Sequence, residues 1–148
     1  MKKNNWLSYF LYSAILIGYI TISNKMLLFL NEQRARTYDN FPYMTWSTII
    51  FILLGALIGL EKFILEVRKE GPWKVNLPKV ILLGIPSLYF TFGWTLYYFP
   101  VKFLYQTLAY PIQFFLLGNF KLLPVFQMIF GYVIVTSFIK VDDSNTIV

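Results

Sequence analysis

Three polar side chains in the last third of the chain share one face of a predicted helix and could line a binding pocket. Gln106, Tyr110 and Gln113 are four and three residues apart, and side chains at these spacings lie above one another on a helix. Pro111 frees a backbone carbonyl nearby, because proline removes a backbone N–H from the helix. The pattern predicts a pocket for a lipid headgroup or a small solute. The alternative is that the three side chains hydrogen-bond to neighbouring helices, an ordinary use of polar groups at buried helix contacts.

The acidic residues offer little for catalysis. All seven lie outside the uncharged apolar stretches of the sequence: Glu32, Asp39, Glu61, Glu66, Glu70, Asp142 and Asp143. Glu32 and Asp39 could pair for acid–base work, but exposed charges usually interact weakly and simple solvation explains them better. Proton-driven transporters carry ionisable groups inside their apolar segments. A proton antiporter is therefore disfavoured.

The chain contains no cysteine and no histidine. Thiol catalysis, disulfides and thiolate metal sites are thereby excluded, as are serine–histidine–aspartate triads and histidine-ligated haem or zinc. Walker A, Gly-x-Gly-x-x-Gly and Gly-x-Ser-x-Gly patterns are also missing from the sequence. We predict no catalytic residue, no metal site and no cofactor, and the sequence favours a non-enzymatic role.

Long uncharged stretches must position whatever side chains carry the function. Five windows of at least 18 residues contain no Asp, Glu, Lys or Arg: Asn4–Asn24, Phe41–Leu60, Val80–Val101, Phe103–Phe120 and Leu122–Ile139. About 20 apolar residues are needed to cross ~30 Å of hydrocarbon. Only 14% of the 148 residues are charged, against about 25% in soluble proteins. The sequence predicts an all-α membrane helical bundle, a single domain over residues 1–148 with no soluble domain.

The first helix is predicted from Trp6 to Ser23, with a continuation past Lys25 to Leu30. We interpret it as a membrane anchor rather than a cleaved signal peptide, because its apolar run is too long and no small-residue cleavage site follows. Hydroxyl side chains lie on one of its faces, at Ser8, Tyr12, Tyr19 and Ser23. This pattern is typical of a helix-packing face, and a ligand-lining face is the alternative.

The second helix is predicted to begin at Phe41-Pro42, since proline suits the first turn of a helix. Gly55 and Gly59 are four residues apart, which removes side-chain bulk from one face and predicts close helix packing. An amphipathic extension follows Leu60 and is predicted to end at Gly71-Pro72.

The third helix is predicted from Val80 to Phe99, with a kink at Pro86. The remaining two windows are ambiguous, because Pro111 interrupts the first and only Lys121 separates them. Residues 103–120 either cross the membrane or form a re-entrant segment. The sequence thus predicts four or five transmembrane segments, and five are favoured.

Charge sets the predicted orientation. The loop from Glu61 to Lys79 contains five of the thirteen basic residues, and Lys2 and Lys3 lie two spans earlier. Cytoplasmic loops accumulate Lys and Arg, so this loop and the N-terminus are predicted to be cytoplasmic, with Asn31–Asn40 outside. The net charge of +6 then reflects topology and contact with anionic lipid rather than nucleic acid.

Two functions fit these features. The favoured hypothesis is a non-enzymatic accessory, assembly or regulatory subunit of a larger membrane complex in the cell membrane. Its partners would be the lipid bilayer and either another membrane protein or a second copy of the chain. The alternative is a small oligomeric transporter, flippase or channel for a solute or lipid, because interrupted helices often mark binding sites.

Overall fold

The computed structural model describes residues 5–98, 110–112 and 122–141. This part of the chain is mostly helical, as predicted. Its elements in chain order are α1 (Asn5–Thr37), α2 (Phe41–Val67), β1 (Trp73–Val75), α3 (Leu77–Lys79), α4 (Ile85–Phe92), α5 (Leu123–Thr136) and β2 (Phe138–Lys140). A π turn (Val80–Gly84) joins α3 to α4, and a 3₁₀ helix (Gly93–Tyr98) follows α4.

Three helices among the described residues are long and apolar enough to cross a membrane: Trp6–Thr37, Phe41–Val67 and Leu77–Leu96. The last of these comprises α3, the π turn, α4 and the start of the 3₁₀ helix, and we call it the composite helix. α5 is apolar but only 14 residues long. By their contacts, the residues form two compact units, Met1–Ile50 and Phe51–Val148. The single-domain assignment stays a prediction.

In the first unit, α1 is longer than predicted, because it continues through Lys25 and ends at Thr37 rather than Leu30. No proline or glycine interrupts residues 19–37, so the charged side chains that end the apolar window do not end the helix. Tyr38 has a positive φ of 56° and turns the chain. The Asp39 carboxylate then accepts a 2.9 Å hydrogen bond from the Phe41 amide, and α2 begins there as predicted.

The hydroxyl-bearing face of α1 is partly buried. Tyr12, Tyr19 and Ser23 are half-buried, whereas Ser8 is exposed. The Tyr19 hydroxyl donates a 2.7 Å hydrogen bond to the Ile50 carbonyl. A hydrogen bond from a tyrosine on one helix to a backbone carbonyl of another is the kind of contact that joins membrane helices.

In the second unit, α2 ends at Val67, four residues before the predicted stop at Gly71-Pro72. The extension was predicted from its amphipathic pattern. In the structure, however, the Val67 carbonyl at the end of α2 accepts a hydrogen bond from the Lys140 ammonium, which is remote in sequence. Gly71 has φ of 121°, a conformation that favours glycine, and it reverses the chain into β1.

The composite helix departs from α-helical geometry at the predicted proline. Pro86 has no N–H, and the π turn over Val80–Gly84 lies immediately before it; the Ile85 amide there donates to the Val80 carbonyl, one residue further back than in an α-helix. The Ser87 hydroxyl donates to the carbonyls of Leu83 at 2.6 Å and Gly84 at 3.0 Å. A serine hydroxyl in a helix commonly bonds back to carbonyls three or four residues earlier, and here these bonds give the buried Ser87 hydroxyl its acceptors.

α5 packs against α4 and α2, and the chain after it returns to the start of the composite helix. β2 pairs with β1 in an antiparallel ladder in which Trp73 faces Lys140, Lys74 faces Ile139 and Val75 faces Phe138. The two strands have three residues each and were not part of the all-α prediction. Their pairing fixes the C-terminal end of α5 beside the N-terminal end of the composite helix.

Candidate functional site

The predicted polar pocket lies mostly outside the described residues. Gln106 and Gln113 both fall there, so its geometry stays a prediction. Tyr110 is described and is 63% exposed. Ile112, two residues later, is fully buried and lies against Gly93, where a Cβ atom would overlap its side chain.

The two glycines singled out in α2 face α5. A Cβ atom on Gly55 would overlap the backbone carbonyl of Met128, and one on Gly59 would lie 2.9 Å from the Cγ2 of Thr136. Gly131 of α5 is placed reciprocally, because a Cβ atom there would overlap the carbonyl of Ile52. Two helix backbones approach this closely only where both lack side-chain bulk.

A group of four residues connects the end of α2 to the two strands, and we call it the loop cluster: Glu66, Lys69, Trp73 and Lys140. Glu66 is only 6% exposed although it is charged. Its carboxylate accepts a 2.6 Å bond from the Lys69 ammonium and a 2.9 Å bond from the Lys140 amide. A buried carboxylate needs such partners, and Glu66 has one on each of its two carboxylate oxygens.

The Lys140 side chain caps α2. Its ammonium donates to the carbonyls of Val67 at 2.9 Å and Lys69 at 2.7 Å, and it lies 5.1 Å from the ring centre of Trp73. A cation is favourable at the C-terminal end of a helix, where the carbonyls lack partners within the helix. This contact gives a physical reason for the end of α2 at Val67.

Lys79 makes a second link between the composite helix and α5. Its ammonium donates to the Thr136 carbonyl at 3.2 Å and to the Thr136 hydroxyl. It also lies 4.6 Å from the ring centre of Tyr132, within the range of a cation–π interaction. A base that the sequence assigned to a loop is thus bound to the last turn of α5.

An apolar cavity of about 350 Å³ lies between β1, the composite helix, α5 and β2. The residues around it are Val75, Val80, Gly84, Ile85, Leu88, Phe130, Val133, Ile134, Ser137 and Phe138. Among the described residues, no polar atom contributes to its surface, since the Ser137 hydroxyl donates to the Val133 carbonyl at 2.6 Å. The cavity was not predicted, because its walls come from segments far apart in sequence.

Buried polar groups also lie between the helices. Thr91 of α4 is fully buried, and its hydroxyl has no hydrogen-bond partner among the described residues. Gln127 of α5 is only 2% exposed. Sequence reasoning weighed Gln106 and Gln113 and passed over Gln127, although it is the one amide side chain in the Leu122–Ile139 window.

At this end of the second unit the described residues offer groups suited to binding. The loop cluster supplies ammonium groups and an exposed tryptophan ring, and an apolar cavity adjoins it. Among the described residues, no three His, Cys, Asp or Glu side chains come together in a way that could hold a metal ion.

No protein-family model, curated protein or solved structure matches the chain.

Proposed function

We propose that the chain is a multi-pass protein of the cell membrane with four passes and no separate soluble domain. The three long apolar helices make the first three passes, and α5 lies in the fourth. α5 is short for a pass, with 14 residues against the usual ~20, and the residues immediately before it lie outside the described part of the chain.

Strand pairing supports four passes over five. β1 precedes the composite helix, β2 follows α5, and the two strands are hydrogen-bonded to each other. The start of the third pass and the end of the last pass must therefore be on the same side of the membrane. A fifth pass through residues 103–120 would put β2 on the opposite side from β1, where the two could not pair.

The pairing of β1 with β2 also supports an orientation for the C-terminal end of the chain, because β2 would lie on the same side of the membrane as β1. Five basic residues between Glu61 and Lys79 favour the cytoplasm for that loop. Lys140 joins the loop through its contacts with Glu66 and Lys69. The loop, the N-terminus and Lys140 are then all cytoplasmic, and Asn31–Asn40 is outside.

We propose that this membrane protein acts as a non-enzymatic accessory, assembly or regulatory subunit that packs against a larger membrane partner or a second copy of itself. The observation that carries the proposal is the exposure of α1. By the part of the chain that the structure describes, none of its most apolar 18-residue window is buried, compared with 22% for α2 and 28% for the composite helix. Exposed apolar residues alone would suit lipid, so the polar residues among them are informative.

Ser13 and Asn24 are both exposed and lie on one face of α1, because the eleven residues from one to the other make just over three whole turns. Ile17 and Ile20 lie between them on the same face and are also exposed. Lipid chains offer an amide or a hydroxyl no hydrogen-bond partner, whereas a neighbouring helix does. This face, which we call the Ser13–Asn24 face, fits a protein partner better than lipid.

The proposal is tested by purification in a mild detergent with a tag on the chain. We expect a second protein, or an untagged second copy, at a fixed stoichiometry. The double variant Ser13→Leu/Asn24→Leu should lose it. Thr21→Leu is the matched control, because Thr21 is exposed on the same helix but its hydroxyl bonds to its own backbone at Ile17. A chain that is always monomeric and alone, or a partner retained by the double variant, would refute the proposal.

The alternative of a small transporter, flippase or channel rests on the π turn and Pro86 in the composite helix, since interrupted helices often line binding sites. Because the cavity beside the π turn is apolar, a lipid suits such a transporter better as a substrate than a hydrated solute does. Reconstituted vesicles would show lipid or solute movement that Gln113→Leu abolishes. Vesicles without any such movement would argue against this function.

A further inference from the structure

The shape of the apolar cavity follows the axis of the helix bundle. Val80, Gly84 and Leu88 recur every four residues along the composite helix, and Phe130, Val133 and Ser137 form a similar stripe on α5. Eight residues of helix are about 12 Å long. The cavity is therefore an elongated groove that begins at the strand pair and runs into the bundle.

An alkyl chain is the ligand that fits such a groove. No polar atom is available at its surface, so a solute that needs hydrogen bonds would lose those it makes with water. Several of its wall residues remain largely exposed, with Ile85 at 57% and Ile134 at 45%. The groove is thus open at the side, where the acyl chains of a bilayer would reach it.

The two strands connect the apolar wall of the cavity to a charged edge of the protein. Val75 and Phe138 face each other in the ladder and both line the cavity. Trp73 and Lys140 are the next pair on the same face of the sheet, because side chains alternate along a strand. Strand residues two apart are separated by about 7 Å, so the backbones of Trp73 and Lys140 lie about that far beyond the pair that lines the cavity. The Lys140 ammonium lies 5.1 Å from the Trp73 ring centre and also donates to the Val67 and Lys69 carbonyls.

The charge of this edge favours an anion. Between Glu61 and Lys79 there are five basic and three acidic residues, and Lys140 adds a further base. The one acid buried in the cluster, Glu66, is already bound to Lys69 and to the Lys140 amide. Tryptophan and lysine side chains are common at the headgroup level of membranes, and clustered bases attract anionic lipids.

We propose that the cavity binds one acyl chain of an anionic phospholipid, with its phosphate at Lys140 and beside Trp73. The site goes beyond the subunit function, because it needs neither a protein partner nor the Ser13–Asn24 face. The π turn would then have a role in lipid binding, since Gly84 in that turn has no side chain and leaves room in the cavity wall.

The test is native mass spectrometry of the full chain after extraction from vesicles of phosphatidylglycerol and phosphatidylcholine that have the same acyl chains. We expect one retained phosphatidylglycerol per chain. Ile134→Trp should fill the groove and lower retention about tenfold, the effect of losing the burial of only two methylene groups. Val125→Trp is the matched control, because Val125 is an exposed aliphatic residue of α5 that does not line the cavity.

A second variant pair tests the headgroup. Lys140→Gln should bind the two lipids equally, and Lys140→Arg should keep the preference for phosphatidylglycerol because it keeps the charge. Equal retention of both lipids by the unmodified chain would overturn the phosphate contact. Unchanged retention in Ile134→Trp would overturn the acyl-chain site. Either result would leave the proposed partner of α1 untouched.

Discussion

The backbone amide of Lys140 donates a 2.9 Å hydrogen bond to the side-chain carboxylate of Glu66, 74 residues earlier in the chain. The ammonium of the same lysine caps the end of α2. Lys140 therefore links β2 to α2. This link holds β2 beside the C-terminal end of α2, and it therefore bears directly on the proposed topology.

Removing the Glu66 carboxylate should destabilise the second unit. Glu66→Ala leaves the Lys140 amide and the Lys69 ammonium without their acceptor, and unpaired buried groups cost free energy. Glu66→Gln keeps an acceptor for the amide and should have a smaller effect. We expect the midpoint of thermal unfolding in detergent to fall in the order wild type, Glu66→Gln, Glu66→Ala. Glu70→Ala, at an exposed position of the same loop, should match wild type, and equal midpoints for all four proteins would contradict the role of Glu66.

Alanine substitutions at the glycines of α2 and α5 should lower the free energy of unfolding by amounts that depend on which atoms face each glycine. Gly55→Ala and Gly131→Ala would press a methyl group onto backbone carbonyls of the facing helix, and overpacking costs about 1–3 kcal/mol. Gly59→Ala meets a side-chain atom, the Cγ2 of Thr136, at 2.9 Å rather than a backbone carbonyl at closer range, and it should cost less. Denaturant titration in mixed micelles measures the free energy of unfolding of each variant.

Gly18→Ala is the control for this series. Nothing lies within 4 Å of a Cβ atom at Gly18, and alanine is the better helix former by about 1 kcal/mol. It should therefore leave the free energy of unfolding unchanged or raise it. If Gly55→Ala were as stable as Gly18→Ala, the close approach of α2 and α5 would be wrong.

The parts of the fold that could be predicted are those that depend on neighbouring residues. Uncharged windows located the apolar helices, and Phe41-Pro42 located the start of α2, because both follow from local composition. The end of α1 was misplaced, since a change from apolar to charged side chains ends a membrane window but not a helix. Glu32 is an example, because it lies beyond the predicted end at Leu30 and yet inside α1.

The features that could not be predicted depend on contacts between remote residues. Trp73–Val75 and Phe138–Lys140 are too short to give a strand pattern, and each needs the other for its hydrogen bonds. The burial of Glu66 could not be predicted either, because one of its hydrogen-bond donors, the Lys140 amide, is 74 residues away. The apolar cavity is likewise built from four separate segments.

Lys79 and Tyr132 should be energetically coupled. The ammonium lies 4.6 Å from the ring centre, and a cation–π pair contributes about 0.5–1 kcal/mol at a partly exposed site. A double-mutant cycle with Lys79→Met and Tyr132→Leu, read by denaturant titration, measures the coupling. The cycle with Lys74→Met in place of Lys79→Met is the control and should give no coupling, because Lys74 lies on the opposite face of β1 from Val75. Strictly additive effects for Lys79 and Tyr132 would contradict the contact.

Single cysteines should report the orientation of the first three passes, because the chain has no cysteine of its own. Gln33→Cys and Glu70→Cys place thiols at exposed positions near the C-terminal end of α1 and after α2. With the basic loop in the cytoplasm, a membrane-impermeant thiol reagent should label Gln33→Cys in intact cells and leave Glu70→Cys unlabelled until the membrane is opened. The reverse pattern would invert the proposed topology.

A third cysteine distinguishes four passes from five. Ser144 is four residues beyond Lys140, which is bonded to Glu66 and Lys69 in the loop after α2, so Ser144→Cys should be protected in intact cells together with Glu70→Cys. Labelling of Ser144→Cys from outside would require a fifth pass through residues 103–120. It would also be incompatible with the β1–β2 pairing, because two strands on opposite sides of a bilayer cannot share hydrogen bonds. We expect both cysteines to be protected in intact cells and both to be labelled after permeabilisation. Labelling after permeabilisation would show that the protection does not come from poor reactivity of the thiols.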